Sequence, residues 1–153
     1  MKLSSFFTLE ELTFSEWAER HGVDNTPSPE IVENLKRLAY TLDEVRVLLG
    51  RPVHLNSGYR SEAVNEGVGS TSKHSAHLDG RAADFVSREY GTPLEVCRAI
   101  EGSEIEFDQL IFEHTWTHFG IARDGEAPRR QVLTLMPGGT YATGIIERPQ
   151  QAA

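Results

Sequence analysis

The run Ser-Ala-His-Leu-Asp-Gly-Arg-Ala-Ala-Asp, from Ser75 to Asp84, holds an imidazole and a carboxylate seven residues apart with small residues between them. A second imidazole follows at His118, inside a Trp-Thr-His run. Catalytic zinc usually takes three protein ligands from His, Asp and Glu and keeps a fourth position for water. The spacing does not match the helical His-Glu-x-x-His motif. It predicts a loop that carries His77, turns at Gly80 and leads into a short apolar strand that contains Asp84.

Asp84 lies between Ala83 and Phe85 in that predicted strand, where a carboxylate needs a partner because burying an unpaired charge is costly. A metal ion is one suitable partner. Hydrogen bonds to other polar side chains are another, and scattered histidines are often structural groups of that kind. From the residues alone, a zinc site and a hydrogen-bonded structural cluster both remain open.

The pattern Ser-x-His-x-x-Gly-x-Ala-x-Asp, followed downstream by Trp-x-His, resembles the signature of the zinc D-alanyl-D-alanine carboxypeptidase family. That family includes vancomycin-resistance dipeptidases and the L-alanyl-D-glutamate endopeptidases that phages use as endolysins. The resemblance extends to the Ser-Gly-Tyr-Arg-Ser run at 57–61, to Asn65 and to a helical N-terminal region, so that it covers most of the chain. It implies an α+β fold of the hedgehog/DD-peptidase type, with N-terminal helices packed on a small antiparallel sheet that carries the zinc site.

The resemblance implies that His77, Asp84 and His118 bind Zn²⁺. His118 also falls within a predicted strand, and a rigid element suits a preorganised metal ligand. Among the other histidines, His54 has apolar strand neighbours, which are typical of the core or of a position just behind a site. His74 falls in a predicted flexible loop and is a candidate substrate contact.

A peptidase of this kind also needs a group that accepts a proton and returns it during hydrolysis. Glu113 is five residues before His118. If residues 109–113 and 116–122 form a hairpin, both side chains approach one side of the sheet. The resemblance implies an acidic residue or a histidine at this point, and we favour Glu113 because a carboxylate is the commoner base beside a metal. His114 is the alternative base.

Arg60, Ser75 and Trp116 are further candidates for the site. The resemblance implies that Arg60 holds the substrate or polarises its carbonyl, and a guanidinium offers two parallel donors to a carboxylate. Ser75 is expected to contact substrate or to orient the loop that carries His77. An ordinary surface arginine and an ordinary loop hydroxyl are the alternatives for these two residues. Trp116 is expected to form a packing wall of the site.

The whole sequence predicts one domain over residues 1–153, with a helical lead-in at 1–50, a catalytic core at 53–136 and a frayed tail at 148–153. Its longest helix is expected at 28–49, where apolar residues recur at three- and four-residue intervals. The other main predicted elements are strands at 53–56, 82–86, 109–113, 116–122 and 131–136, a helix at 93–100 and a long loop at 57–76.

The composition of the chain argues against several classes of function. The formal net charge of −8 argues against a nucleic-acid partner, because phosphate neutralisation needs clusters of Lys and Arg. With 8% aromatic residues and no internal repeat, a pure wall-binding module is disfavoured. No segment has the apolar length of a membrane helix and no signal peptide is recognisable, so membrane insertion is not expected. The single Cys97 forbids an intramolecular disulfide and is expected to be a buried thiol.

These features predict a zinc-dependent peptidase that acts as a monomer on peptidoglycan stem peptides, at a D-Ala-D-Ala end or at an L-Ala-D-Glu bond. Without an export signal, we expect a phage or prophage endolysin that stays in the host bacterial cytoplasm until a holin releases it, or a virion-associated enzyme. The alternative is a non-catalytic zinc-binding domain of the same fold, with a structural or tail-associated role.

Overall fold

The computed structural model describes residues 1–70, 72 and 74–147, so the expected tail at 148–153 lies outside the described residues. The described part of the chain contains five α-helices and one short 3₁₀ helix, Ala76–Asp79. The α-helices are α1 (Leu9–Thr13), α2 (Glu16–His21), α3 (Pro29–Leu49), α4 (Glu62–Gly67) and α5 (Pro93–Glu101). Within these described residues, no helix combines the length and the apolar character needed to cross a membrane.

Helix α3 follows the sequence signals that predicted it. The hydroxyl of Ser28 accepts a hydrogen bond from the Ile31 amide in the first turn, and Pro29 occupies the first helical position. Gly50 ends the helix with φ +66°, a left-handed conformation that glycine adopts without strain. The apolar stripe of the helix is buried in the core and consists of Leu35, Leu38, Ala39, Leu42, Val45 and Leu49. The predicted helix is confirmed.

Six strands form one sheet in the spatial order β1-β2-β4-β3-β5-β6. They are β1 (His54–Ser57), β2 (Ala82–Val86), β3 (Gln109–Phe112), β4 (Thr117–Gly120), β5 (Gln131–Leu135) and β6 (Tyr141–Thr143). All neighbours are antiparallel except β3 and β5, so the expectation of an antiparallel sheet is wrong for that pair. The reason is the connection 121–130: Gly120 and Gln131 both lie beside Gln109, so β5 begins at the same end as β3, on its other side.

The segment 57–76, expected to be one long loop, contains helix α4 and the start of the 3₁₀ helix. Ser61 caps α4 by accepting a hydrogen bond from the Val64 amide, and the side chain of Val64 is buried. Strand β6 is a further element without a counterpart among the predictions. Elements this short contain too few residues for a clear hydrophobic period, so tertiary contacts decide whether they form.

The sheet separates a buried face from the face that carries the candidate site. On the buried face, five side chains join the apolar residues of α3 and α5 in one core, namely Ala83, Phe85, Leu110, Phe112 and Phe119. Successive side chains of a strand point to opposite faces, so Asp84, Ile111 and His118 lie on the other face. The registers place His118 directly beside both Asp84 and Ile111. One strand pattern therefore builds the core and presents the polar residues away from it.

Candidate metal centre

Three predicted ligand residues meet on the face of the sheet opposite the core. Nε2 of His77 lies 3.3 Å from Oδ2 of Asp84, and Nδ1 of His118 lies 3.0 Å from Oδ1 of the same carboxylate. One possible ligand atom from each residue can be chosen so that all three lie within 4.8 Å of one another. All three side chains are largely shielded from solvent. The tertiary structure thus gathers residues that are distant in the sequence into a cluster that could hold a metal ion.

The 3₁₀ helix sets the position of His77. The hydroxyl of Ser75, at the start of this helix, accepts a hydrogen bond of 3.2 Å from the His77 amide. Gly80 ends the helix with φ +73°, and a side chain there would press against Ile31 and Leu35 of α3. A glycine is needed because other residues rarely adopt this conformation and none would fit the space. The predicted turn at Gly80 is confirmed.

The backbone of the Ser-Gly-Tyr-Arg-Ser run orients the His77 ring. Nδ1 of His77 lies 2.7 Å from the carbonyl oxygen of Gly58. Because a carbonyl oxygen can only accept, the proton of a neutral His77 must be on Nδ1, and Nε2 is left with a lone pair. Nε2 is also the atom that faces Asp84. A metal-binding histidine commonly shows this arrangement, in which the nitrogen away from the metal donates to a backbone carbonyl.

Asp84 and His118 are electrostatically coupled. Burial raises the pKa of Asp84, but the charges and hydrogen bonds of His77 and His118 outweigh burial and hold this pKa far below its ordinary value. Burial lowers the pKa of His118, but the hydrogen bond and negative charge of Asp84 more than reverse that effect, so the pKa is raised above 6.5. Two imidazoles around an ionised carboxylate are a donor set that fits zinc. A proton on His118 and a metal ion would compete for this position.

Glu113 directly follows β3 and lies close to the cluster. Its amide donates a 3.2 Å hydrogen bond to the Trp116 carbonyl, which closes the expected hairpin between β3 and β4. Burial raises the pKa of Glu113 and the charge of Asp84 raises it further; together they exceed the lowering caused by His118 and Trp116. The environment of Glu113 therefore increases the affinity of its carboxylate for a proton.

Trp116 makes a polar contact in addition to the packing role that the sequence predicts for it. Its indole Nε1 donates a 2.7 Å hydrogen bond to Oε2 of Glu113. A partly buried tryptophan usually finds an acceptor for its N–H. A carboxylate three residues earlier, across a short turn, is the signal that could have identified this bond from the sequence.

His114 occupies the turn between Glu113 and Trp116 with φ +65°. Its Nε2 lies 2.7 Å from the carbonyl oxygen of Leu135 in β5, and its ring packs on Phe112 with 4.5 Å between ring centroids. It does not belong to the described residues that line the cleft. The ring of the alternative base thus contacts β5, whereas Glu113 lines the cleft.

A cleft of about 840 Å³ opens over the cluster, and Arg60, Ser75 and Glu113 all line it. The amide of Arg60 donates a 3.1 Å hydrogen bond to the carbonyl of His77, which fixes the backbone of Arg60 beside the 3₁₀ helix. Within the described residues, Nε of Arg60 has no hydrogen-bond partner. Burial lowers the pKa of Arg60 while the charges of Asp84 and Glu113 raise it, and a guanidinium stays charged in proteins. The structure brings both sequence-predicted substrate-binding residues to the same cleft as the cluster.

Of the two other candidate histidines, His74 lines the cleft and His54 does not. The expectation that His54 lies in the core or just behind the site is wrong, because β1 is an edge strand that turns this side chain outward. Nε2 of His54 lies 3.1 Å from Oε1 of Glu89, and both side chains are about half exposed. His74 is exposed and lines the cleft. Its contact with substrate stays a prediction.

A known protein family matches most of the chain. The profile of the peptidase M15 family matches residues 5–120, a span that includes His77, Asp84, Glu113 and His118. The chain belongs to the peptidase M15 family. Members of this family are zinc-dependent metallopeptidases, so the M15 assignment and the His-Asp-His cluster support the same class of hydrolase. A search of curated proteins found no match to the chain.

Proposed function

We propose that the chain is a zinc peptidase that hydrolyses the stem peptides of peptidoglycan, at a D-Ala-D-Ala end or at an L-Ala-D-Glu bond. The observation that carries the proposal is the presence, in one cleft of an M15 chain, of a His-Asp-His cluster and a half-buried carboxylate, Glu113. The six-stranded sheet with its N-terminal helices is compatible with the hedgehog/DD-peptidase arrangement, which we propose for the fold.

The proposed zinc ligands are His77 through Nε2, Asp84 through its carboxylate and His118 through Nδ1. The support is the hydrogen bond from His77 Nδ1 to Gly58, which leaves Nε2 as the donor atom, and the approach of His118 Nδ1 to Asp84. When bound, zinc lowers the pKa of a coordinated water to about 7 and polarises a carbonyl.

Glu113 is the proposed general base. Trp116 holds its Oε2, and Oε1 makes no hydrogen bond within the described residues. Oε1 is therefore the atom that would accept the proton of the attacking water and pass it to the leaving amine. The 2.7 Å contact of His114 with Leu135 favours Glu113 over His114 for this role, because it directs the imidazole toward β5.

Arg60 and Ser75 are the proposed substrate-binding residues. The side chain of Arg60 lines the cleft, and a substrate carboxylate or carbonyl is a suitable acceptor for its guanidinium. The hydroxyl of Ser75 already accepts a bond from the His77 amide, so its own proton is available for a substrate oxygen. The resemblance to phage L-alanyl-D-glutamate endopeptidases supports an endolysin role, which stays a prediction.

Digestion of purified peptidoglycan tests this proposal. The zinc-loaded protein should release new amino and carboxyl termini, which mass spectrometry would assign to one of the two bonds. The zinc-loaded Glu113→Gln variant is the matched control and should release almost none. Stoichiometric zinc without any new termini would contradict the peptidase function and support the non-catalytic zinc-binding alternative.

A further inference from the structure

The cleft extends beyond the part of the chain that matches the peptidase M15 family. The match ends at residue 120, but the cleft is also lined by Leu133 of β5 and Tyr141 of β6. These two residues lie on a hairpin whose second strand the sequence does not predict. The hairpin is therefore the place where this chain can add a recognition surface of its own.

The strand registers place the hairpin on the same face as the metal cluster. Ile111 pairs with His118 on one side and with Leu133 on the other, so these three residues form one row across the sheet. Tyr141 pairs with Leu135, two residues beyond Leu133, and residues two apart on a strand share a face. Leu133 and Tyr141 therefore face the cleft from β5 and β6.

The environment of Tyr141 agrees with this placement. Burial raises the pKa of Tyr141, and the charges of Glu113 and Asp84 raise it further, as expected for a phenol that faces the two carboxylates. Its side chain is about half exposed, and its hydroxyl makes no hydrogen bond within the described residues. The phenol is thus an available neutral donor beside an apolar surface formed by Ile111 and Leu133.

Hydrogen bonds within residues 134–146 fix the conformation of the hairpin. The amide of Met136 donates a 2.8 Å hydrogen bond to the Thr140 carbonyl across the turn. The buried hydroxyl of Thr134 donates to the Gly144 carbonyl at 2.7 Å and accepts from the Ile146 amide at 2.9 Å. A surface held in this way is preorganised, which suits recognition of a substrate.

The strand order puts Arg60 and the hairpin on opposite sides of the metal cluster. Arg60 follows β1 at one edge of the sheet, the cluster residues Asp84 and His118 lie on β2 and β4, and the hairpin β5–β6 forms the other edge. A peptide lying across the strands would thus meet a cation on one side and an apolar, aromatic surface on the other.

We infer that Leu133 and Tyr141 contact the substrate residue that precedes the scissile bond and select an uncharged aliphatic side chain there, while Arg60 receives the carboxylate of the residue that follows. This inference rests on the proposed peptidase function. It fits both candidate bonds equally, because in D-Ala-D-Ala and in L-Ala-D-Glu an alanine precedes the bond and a residue with a carboxylate follows it. Leu133 supplies apolar surface, and the hydroxyl of Tyr141 donates to a peptide carbonyl.

Binding to an inactive enzyme tests the inference without relying on turnover. The zinc-loaded Glu113→Gln protein would be titrated calorimetrically with a stem pentapeptide that contains both bonds, L-Ala-D-Glu-L-Lys-D-Ala-D-Ala. Two further probes carry aspartate in place of the first or the fourth residue. The same titrations would be made with Leu133→Ala, Tyr141→Ala and Tyr141→Phe added to the inactive protein. Tyr90→Ala is the matched control, because Tyr90 is also partly exposed and is outside the described cleft lining.

We expect Leu133→Ala and Tyr141→Ala to weaken pentapeptide binding by about tenfold or more, the scale of losing one apolar contact, and to reduce discrimination against aspartate. Tyr141→Phe should have a smaller effect, and Tyr90→Ala none. Zinc content should stay the same throughout. If the inactive parent binds the pentapeptide and the Tyr141 and Leu133 variants bind it equally well with unchanged discrimination, the inference is overturned and the peptidase proposal stands. If the parent binds none of the three peptides, both are contradicted.

Discussion

The indole Nε1 of Trp116 donates a 2.7 Å hydrogen bond to Oε2 of Glu113 across the turn that joins β3 to β4. Hydrogen bonds to a charged group typically contribute about 1.5–3 kcal/mol. The bond leaves Oε1 of Glu113 as the open oxygen of a carboxylate that lies close to the candidate metal centre. Trp116 thus fixes the position of the proposed base, although Trp116 itself takes no part in proton transfer.

Replacing Glu113 with glutamine should keep zinc and lower the rate of peptide hydrolysis by about two or more orders of magnitude, the usual scale of losing a general base. Glutamine keeps the size and polarity of the side chain but cannot accept a proton. Glu126→Gln is the matched control, because Glu126 lines the same cleft. Near-normal activity of Glu113→Gln together with an inactive but folded His114→Ala protein would assign the base to His114.

Trp116→Phe should lower kcat by about 10- to 100-fold while leaving zinc content unchanged, since it removes one charge-assisted hydrogen bond and little packing volume. The bond from Trp116 lowers the pKa of Glu113, so its loss should raise that pKa. A base works only when deprotonated, and the acidic limb of the rate profile should therefore move to higher pH. The measurement is kcat against pH for the two proteins. An unchanged profile would count against the role of this bond.

Single alanine substitutions of His77, Asp84 and His118 should each abolish stoichiometric zinc binding, as measured by elemental analysis after dialysis. Each removes one donor from a cluster whose ligand atoms lie within 4.8 Å of one another. His54→Ala is the control and should retain full zinc, because His54 is at an exposed edge of the sheet beside Glu89. Stoichiometric zinc in the His118→Ala protein would disprove this ligand set.

Zinc affinity should fall as the pH is lowered, and this fall should begin at a pH above the ordinary histidine pKa. Burial lowers the pKa of His118, but its bond to Asp84 and the charge of Asp84 raise it beyond 6.5. Below the raised pKa both ring nitrogens of His118 carry protons, and one proton must be released before zinc binds, which costs about tenfold in affinity per pH unit for each displaced proton. Competition with a chromophoric chelator between pH 5 and 8.5 measures this. Constant affinity across that range would argue against ligation by His118.

The thiol of Cys97 should not react in the folded protein at pH 8. Burial raises its pKa to about 12, and only the thiolate is an effective nucleophile. Cys97 is fully buried, and its Sγ lies 3.4 Å from Oγ1 of Thr117. Titration with a thiol-specific disulfide reagent should label one thiol per chain in guanidinium chloride and almost none without it. Rapid labelling of the native protein would contradict this burial.

The local signals in the sequence were sufficient for the elements that depend on neighbours in the chain. Ser28, Pro29 and Gly50 bound α3 by capping and backbone conformation, and its apolar period predicts the buried stripe. Gly80 ends the 3₁₀ helix because its φ of +73° is strained for other residues. The short apolar run around Asp84 likewise predicts β2, and the regular alternation of side chains along a strand puts Asp84 on the face opposite that of Ala83 and Phe85.

The tertiary structure decided what depends on contacts between distant segments. The parallel pairing of β3 with β5 and the outward orientation of His54 follow from strand order, which alternation of residues does not encode. Helix α4 and strand β6 are too short to give a periodic signal. Glu113 and His114 are adjacent in the sequence. Only the pairing of strands makes Glu113 line the cleft and brings His114 to the carbonyl of Leu135. The residue types set the available chemistry, and the long-range pairing of the backbone determines which side chains reach the site.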